Sequence, residues 1–306
     1  MRPRVALAPE PVPDYAREAV EEAGADIVAL PEAEALIWTS PKGPDALAST
    51  LEQAGPDLRW VHLRWAGVED FARLGLFDPE LTWTCGKGVF AEPVAEHALA
   101  LALAGLRDLP GRVRATSWGE SSGRSLFGGN VTILGGGGIT EVLVELLRPL
   151  RTTITVVRRS AKPMKWVHRV VGPNRLDDAL SGADVVFVAW ALTPETRGLL
   201  DGERLRKMPP HAWLVNVGRG EHVVTDDLVD VLTEGAIAGA ALDVTDPEPL
   251  PDGHPLWVLP NVIITPHTAN TIEMAIAPMK KRIVDNLKLF AAGKPLIGLV
   301  DPDLGY

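Results

Sequence analysis

Short apolar runs alternate with amphipathic segments along almost the whole chain. Strand-length runs at residues 4–7, 26–29, 35–39 and 60–63 are interleaved with helical periodicity over 15–22 and 44–53. The same alternation resumes with strands at 131–134, 153–157, 184–189, 212–217, 239–244 and 262–265, and helices at 141–148, 177–180 and 225–234. A long amphipathic segment, 272–292, stops at Gly293 just before Pro295. Strands separated by helices need crossover connections and therefore run parallel, with helices on both faces of the sheet. The expected fold is α/β, with two Rossmann-like/flavodoxin-like doubly wound parallel-sheet domains and a cleft between them. Residues 1–97 with 285–306 are expected to form a substrate domain, and 98–284 a dinucleotide-binding domain. The apolar helix 94–106 is expected to join them and to offer surface to a second subunit.

One junction carries a specific signal. Val131-Thr-Ile-Leu runs into four consecutive glycines, then Ile139-Thr140, then a helical segment. Strand, glycine turn and helix form the context of a dinucleotide-binding fingerprint. Gly135 allows the sharp turn, and Gly137 allows close approach of a pyrophosphate. Gly138 and Ile139 open a helix whose free N–H groups favour an anion. The third fingerprint position holds Thr140 in place of a small residue, which weakens the match.

The next strand decides the cofactor. An NAD site ends it with a carboxylate for the ribose hydroxyls, about 20 residues after the glycines. Here it ends in Arg158, Arg159 and Ser160, with Lys162 and Lys165 close behind. Guanidinium groups suit a phosphate, so NADP is expected, with NAD as the alternative; a merely solvated basic strand end is the plainer reading of the same residues.

Composition narrows the function classes. The 306 residues suffice for two domains, and a net charge of −10 argues against a nucleic-acid partner. A single cysteine, Cys85, rules out an internal disulfide and is expected to be a small buried residue. No apolar run approaches the length of about 18 residues needed to span a bilayer, and the N-terminus is too short and Pro-broken for a leader. A cytoplasmic protein with no membrane partner and no bound metal is expected.

Polar residues sit at three strand ends in the second half, where ligands gather in open α/β sheets. Arg219 follows the strand 212–217, Asp243 and Glu248 lie at and beyond the end of 239–244, and His267 follows 262–265. Arginine clamps a carboxylate bidentately. Histidine can protonate an oxygen that gains charge during hydride transfer. A carboxylate beside that histidine raises its pKa and orients it.

With these residues in view, the chain resembles the D-isomer-specific 2-hydroxyacid dehydrogenases, which include glyoxylate/hydroxypyruvate reductases. The motifs are Ala66-Gly-Val68, Pro93-Val-Ala-Glu-His-Ala-Leu-Ala100, the glycine fingerprint, Leu192-Thr-Pro-Glu-Thr-Arg-Gly198, Asn216-Val-Gly-Arg-Gly220, Ala241-Leu-Asp-Val244 with Pro247-Glu-Pro-Leu-Pro251, and Thr265-Pro-His267. The resemblance implies a hydride-transferring oxidoreductase acting on a small 2-oxo or D-2-hydroxy acid. It makes Arg219 the substrate-binding arginine, His267 the acid/base and Glu248 its partner. It implies that Ala66, Gly67 and Val68 offer backbone N–H groups to the substrate carboxylate. Val94 and Asp243 are implied at the nicotinamide, and Leu192, Thr193, Thr196 and Val217 along the cofactor. It further implies a homodimer. Phe90, Trp190-Ala191 and Asn270 depart from the usual pattern, which bears on cofactor and substrate preference. A NAD-linked phosphoglycerate-type dehydrogenase and a non-catalytic nucleotide-sensing interaction protein are the alternatives. Nine tryptophans hint at an aromatic-tolerant pocket, with Trp65 and Trp118 as candidates.

Overall fold

The computed structural model describes residues 2–40 and 43–302. In chain order its elements begin β1 (Arg4–Ala8), α1 (Asp14–Glu22), β2 (Asp26–Ile27), β3 (Ala35–Trp38), α2 (Pro44–Leu51), β4 (Trp60–Leu63), α3 (Glu69–Arg73) and β5 (Thr82–Thr84). They continue with α4 (Ala91–Leu106), α5 (Leu109–Arg114), β6 (Asn130–Leu134), α6 (Gly138–Leu147), β7 (Thr153–Val157), β8 (Arg169–Val171), α7 (Leu176–Leu180) and β9 (Val185–Val188). Last come α8 (Gly202–Leu205), β10 (Trp213–Asn216), α9 (Thr225–Thr233), β11 (Gly239–Leu242), β12 (Val262–Ile264) and α10 (Ile272–Ala291).

The chain forms two compact units, Met1–Phe90 with Thr271–Tyr306, and Ala91–Asn270. Among the described residues, the first contains a parallel sheet ordered β2-β1-β3-β4-β5, and the second a parallel sheet ordered β12-β11-β10-β9-β6-β7-β8. In the second sheet the order reverses at β6 and β9, with β6 between β9 and β7, the switch point at which open sheets bind ligands.

Central strands read as continuous apolar runs because both faces are covered. Every residue of β3, β4, β9, β10 and β11 is buried. Trp38, Trp60 and Trp83 are almost fully buried and fill the core of the first unit. The edges differ, and β2 is exposed at both positions. The short strands β5 and β8 give too little pattern to be read from sequence, and only pairing with β4 and β7 defines them.

The units divide at 90/91 and 270/271, earlier on both crossings than the expected 97/98 and 284/285. Packing accounts for this: α4 lies against α6, β10 and β11, all of the second unit, and α10 lies against α1 of the first. Val94, Ala98, Leu101 and Leu106 of α4 are therefore consumed inside their own unit. The exposed apolar side chains of this region come after the helix, at Leu109, Val113, Trp118 and Phe127.

Candidate active site

The turn after β6 is built around one obligatory glycine. Gly135 has φ +126°, and a Cβ there would lie 2.5 Å from the Ala189 carbonyl oxygen. Gly137 is the opposite case: it caps α6, and no atom lies within 4 Å of where its Cβ would be. The first N–H groups of α6, from Gly138 and Ile139 onward, have no intrahelical acceptors and carry the positive end of the helix dipole. Thr140 occupies the position where a small residue is usual. It is buried, and its hydroxyl donates to the Gly135 carbonyl at 3.0 Å. The departure is thus accommodated, because the hydroxyl closes the loop while the methyl joins the core.

The end of β7 remains cationic. Arg158 folds its aliphatic stem against Gly136 and donates from Nε to the Ser160 carbonyl at 2.5 Å. Arg159 and Ser160 are exposed. Arg148 and Lys165 lie over the Trp166 ring, at 3.8 and 3.9 Å from its centre. The open space at Gly137, the helix terminus and this cationic strand end together fit a phosphate-bearing dinucleotide.

Beyond β10, β11 and β12 the expected polar residues come together. Asn216, the last residue of β10, accepts from the Gly218 N–H at 3.1 Å and donates to the Arg219 carbonyl at 2.9 Å. Arg219 is half-buried and also donates from its guanidinium to the Gly218 carbonyl at 2.7 Å. His267 has φ +52°, a left-handed conformation that costs a non-glycine residue about 1–2 kcal/mol. Its surroundings hold it there. The buried Asp243 carboxylate accepts from the Thr265 hydroxyl at 2.6 Å and from the N–H groups of Thr268 and Ala269 at 2.9 and 3.1 Å. The Asp243 carbonyl accepts the His267 N–H at 2.9 Å. His97 of α4 reaches the same network, 3.0 Å from the Thr265 hydroxyl. Burial pushes the Asp243 carboxyl upward, but the bonds from His97, Thr265 and the two N–H groups outweigh it and keep the group ionised, below its ordinary value.

His267 donates from Nδ1 to Glu248 Oε1 at 2.7 Å, which leaves Nε2 to exchange a proton. The bond to Glu248 raises the His267 pKa, working against burial and the nearby Arg219 charge. The same bond holds the Glu248 carboxyl below the usual carboxylate range, and Arg219 acts in the same direction. The three side chains thus share one electrostatic environment, in which an arginine stands near a histidine whose pKa a carboxylate raises.

The remaining expected residues fall in several places. Leu192 and Val217 are buried at the exits of β9 and β10, and Val94 is buried on α4. Thr193 and Thr196 lock each other into a turn: the Thr193 N–H donates to the Thr196 hydroxyl at 2.8 Å, and that hydroxyl donates to the Ala191 carbonyl at 2.9 Å. Ala66, Gly67 and Val68 belong to the first unit, in the turn from β4 to α3. Cys85, also in the first unit, is buried and its thiol pKa is raised by that burial, which suits packing rather than nucleophilic chemistry. Trp65 packs on Phe90, with ring centres 5.1 Å apart, and Trp118 is 98% exposed. His97, Thr265 and His222 escaped the sequence reading as working residues; this polar set is legible only once the strands are aligned.

Comparison with known proteins agrees with this geometry. Residues 97–269 match the family model described as "D-isomer specific 2-hydroxyacid dehydrogenase, NAD binding domain". A protein of Corynebacterium melassecola named "Uncharacterized protein in proB 3'region" is 39% identical over 82% of this chain and 84% of its own length. A glyoxylate reductase of Aeropyrum pernix is 34% identical over 85% of this chain and 81% of its own. A D-isomer specific 2-hydroxyacid dehydrogenase from Xanthobacter autotrophicus Py2, solved in complex with NADPH and MES, superposes with a TM-score of 0.85 at 28% identity over the full length of both chains.

Glu248→Gln is expected to lower the His267 pKa below the ordinary imidazole value, because burial and Arg219 then act with less opposition. An NMR titration of the His267 ring reads this directly, and an unmoved midpoint means that Glu248 does not set the charge of His267.

Proposed function

The chain belongs to the D-isomer specific 2-hydroxyacid dehydrogenase family, and from that footing we propose that it reduces a small 2-oxo acid to its D-2-hydroxy acid with NADPH, in the manner of a glyoxylate/hydroxypyruvate reductase. The observation that carries this reading is the His267–Glu248 pair beside Arg219. When bound, the dinucleotide supplies the hydride. The protein supplies position, charge and a proton. Arg219 binds the substrate carboxylate and polarises the carbonyl. Protonated His267 donates from Nε2 to the carbonyl oxygen as charge develops there, and Glu248 stabilises the imidazolium beforehand. The backbone N–H groups of Ala66, Gly67 and Val68 are assigned to a carboxylate as well.

On the cofactor side, Gly135, Gly137, Gly138 and Ile139 are assigned to the pyrophosphate, and Arg158, Arg159 and Ser160 to the 2′-phosphate. Val94, Leu192, Thr193, Thr196, Val217 and Asp243 are assigned to the rest of the dinucleotide. The NADPH of the Xanthobacter protein supports NADP over NAD. A homodimer is proposed through the exposed Leu109, Val113, Trp118 and Phe127. Among the described residues no helix is long and apolar enough to cross a membrane, and the cytoplasm is the proposed compartment.

Loss of nicotinamide absorbance with NADPH or NADH, tested against glyoxylate, hydroxypyruvate and pyruvate, checks the reading. NADPH is expected to be oxidised faster, and His267→Asn to lower turnover about 10²–10⁴-fold with NADPH binding retained. Turnover within tenfold of wild type would remove His267 from its role. Tight NADPH binding without turnover of any 2-oxo acid points instead to a sensor. Replacing Arg158 and Arg159 together by Ser is expected to raise KM for NADPH about tenfold or more, since charge-assisted bonds contribute about 1.5–3 kcal/mol. KM for NADH should hardly change, and equal effects on both cofactors would contradict the 2′-phosphate assignment.

A further inference from the structure

His222 lies three residues after Arg219, in the short 3₁₀ turn Gly220–His222, and its side chain is fully buried. Nothing in the hydride-transfer reading uses it. Its ring joins two segments. Nδ1 lies 3.2 Å from the Arg219 backbone nitrogen and 3.0 Å from the Arg219 carbonyl oxygen, and Nε2 lies 3.3 Å from the Ala191 carbonyl oxygen, in the loop that leaves β9.

Two carbonyl oxygens, of Arg219 and Ala191, and the Arg219 N–H face the ring. A carbonyl can only accept, so a neutral ring donates its one hydrogen either from Nε2 to Ala191 or from Nδ1 to Arg219. Burial lowers the His222 pKa, and in either tautomer Nδ1 bonds the Arg219 backbone, accepting its N–H or donating to its carbonyl. The Arg219 carbonyl is already served by the Asn216 amide. The Arg219 backbone is thereby held by two buried side chains, Asn216 and His222. The ring also rests on Gly218, where a Cβ would lie 3.3 Å from Nδ1 and Cε1. A glycine immediately before Arg219 is what lets the imidazole sit this close.

We propose that His222 is a positioning residue for substrate recognition: its imidazole ties the backbone of Arg219 to the β9 exit loop and so fixes where the Arg219 guanidinium is presented. The proposal rests on the 2-oxo acid reading above. His222 does not touch the reacting atoms and acts only through Arg219. A long arginine side chain loses several rotatable degrees of freedom when it binds, and anchoring its backbone removes part of that cost before substrate arrives.

The two segments are also stitched through their backbones, by Gly198 N–H to the Glu221 carbonyl at 2.7 Å and Leu200 N–H to the His222 carbonyl at 2.9 Å. Loss of the ring's polar atoms therefore leaves the turn attached, so that a folded variant can report on positioning.

The test is a double-mutant cycle between His222→Phe and Arg219→Ala, with His222→Asn as the conservative rescue. Asn can return an acceptor near the position of Nδ1. His222→Phe is expected to raise KM for glyoxylate and the Ki of oxamate by about tenfold or more, with kcat less affected and the NADPH Kd within about threefold; each tenfold is about 1.4 kcal/mol. His222→Asn should restore most of the loss. In the Arg219→Ala background, His222→Phe should have no further effect on glyoxylate reduction, because a residue that acts through Arg219 is silent once the guanidinium is gone. Additive effects, or an unchanged KM in a folded His222→Phe protein, overturn the proposal. Wild-type protein that reduces no 2-oxo acid overturns the parent reading instead.

Discussion

A carboxylate withdrawn from water must recover its hydrogen bonds from the protein, or it gives up its charge. Asp243 is in that position at the end of β11. Besides His97 of α4, the donors it finds belong to one short segment: the hydroxyl of Thr265 and the N–H groups of Thr268 and Ala269. Satisfying the buried charge therefore bends residues 265–269 around it and places His267, between those donors, at positive φ. The histidine is held by its neighbours rather than by its own preference, and its imidazole then meets Glu248 at 2.7 Å. Remove the buried charge and the strained turn has nothing to hold it. Asp243 thus has work to do inside the protein, whatever it also offers a bound cofactor.

The same logic recurs around the second sheet. At the β6 exit, the buried hydroxyl of Thr140 closes on the Gly135 carbonyl, and a φ open only to glycine makes the turn. At the β10 exit, Asn216 and His222 hold the peptide groups on either side of Arg219. Arg219 and His267 each stand three residues beyond the end of a strand, β10 and β12, supported by the buried side chains of Asn216 and His222 in the one case and Asp243 in the other. Rigid strands supply the position, and buried hydrogen bonds supply the orientation.

Much of this was legible in the sequence. The apolar runs are long enough to mark the central strands, and glycine, arginine, glutamate and histidine follow them at recognisable spacing. Three kinds of feature were not legible. The strands β5 and β8 are three residues each and are defined by pairing partners far away in the chain. The limits of the two units depend on which sheet α4 and α10 pack against, and periodicity alone does not say. The supporting polar residues, His97, Thr265 and His222, look like ordinary surface positions until the fold brings them to their partners. Thr140 read as a weakness in the fingerprint because its hydroxyl's partner, the carbonyl at the start of the turn, is a tertiary fact.

The pH dependence of catalysis in both directions tests the charge state of His267 most directly. For reduction of a 2-oxo acid, kcat/KM should hold steady at lower pH and fall as pH rises through a midpoint above the ordinary imidazole value of about 6.5, because the imidazolium that gives the proton is being lost. Oxidation of the D-2-hydroxy acid should rise across the same midpoint. A reduction rate that climbs with pH through this window, or that shows no transition there, contradicts the assignment of His267 as an acid kept protonated by Glu248.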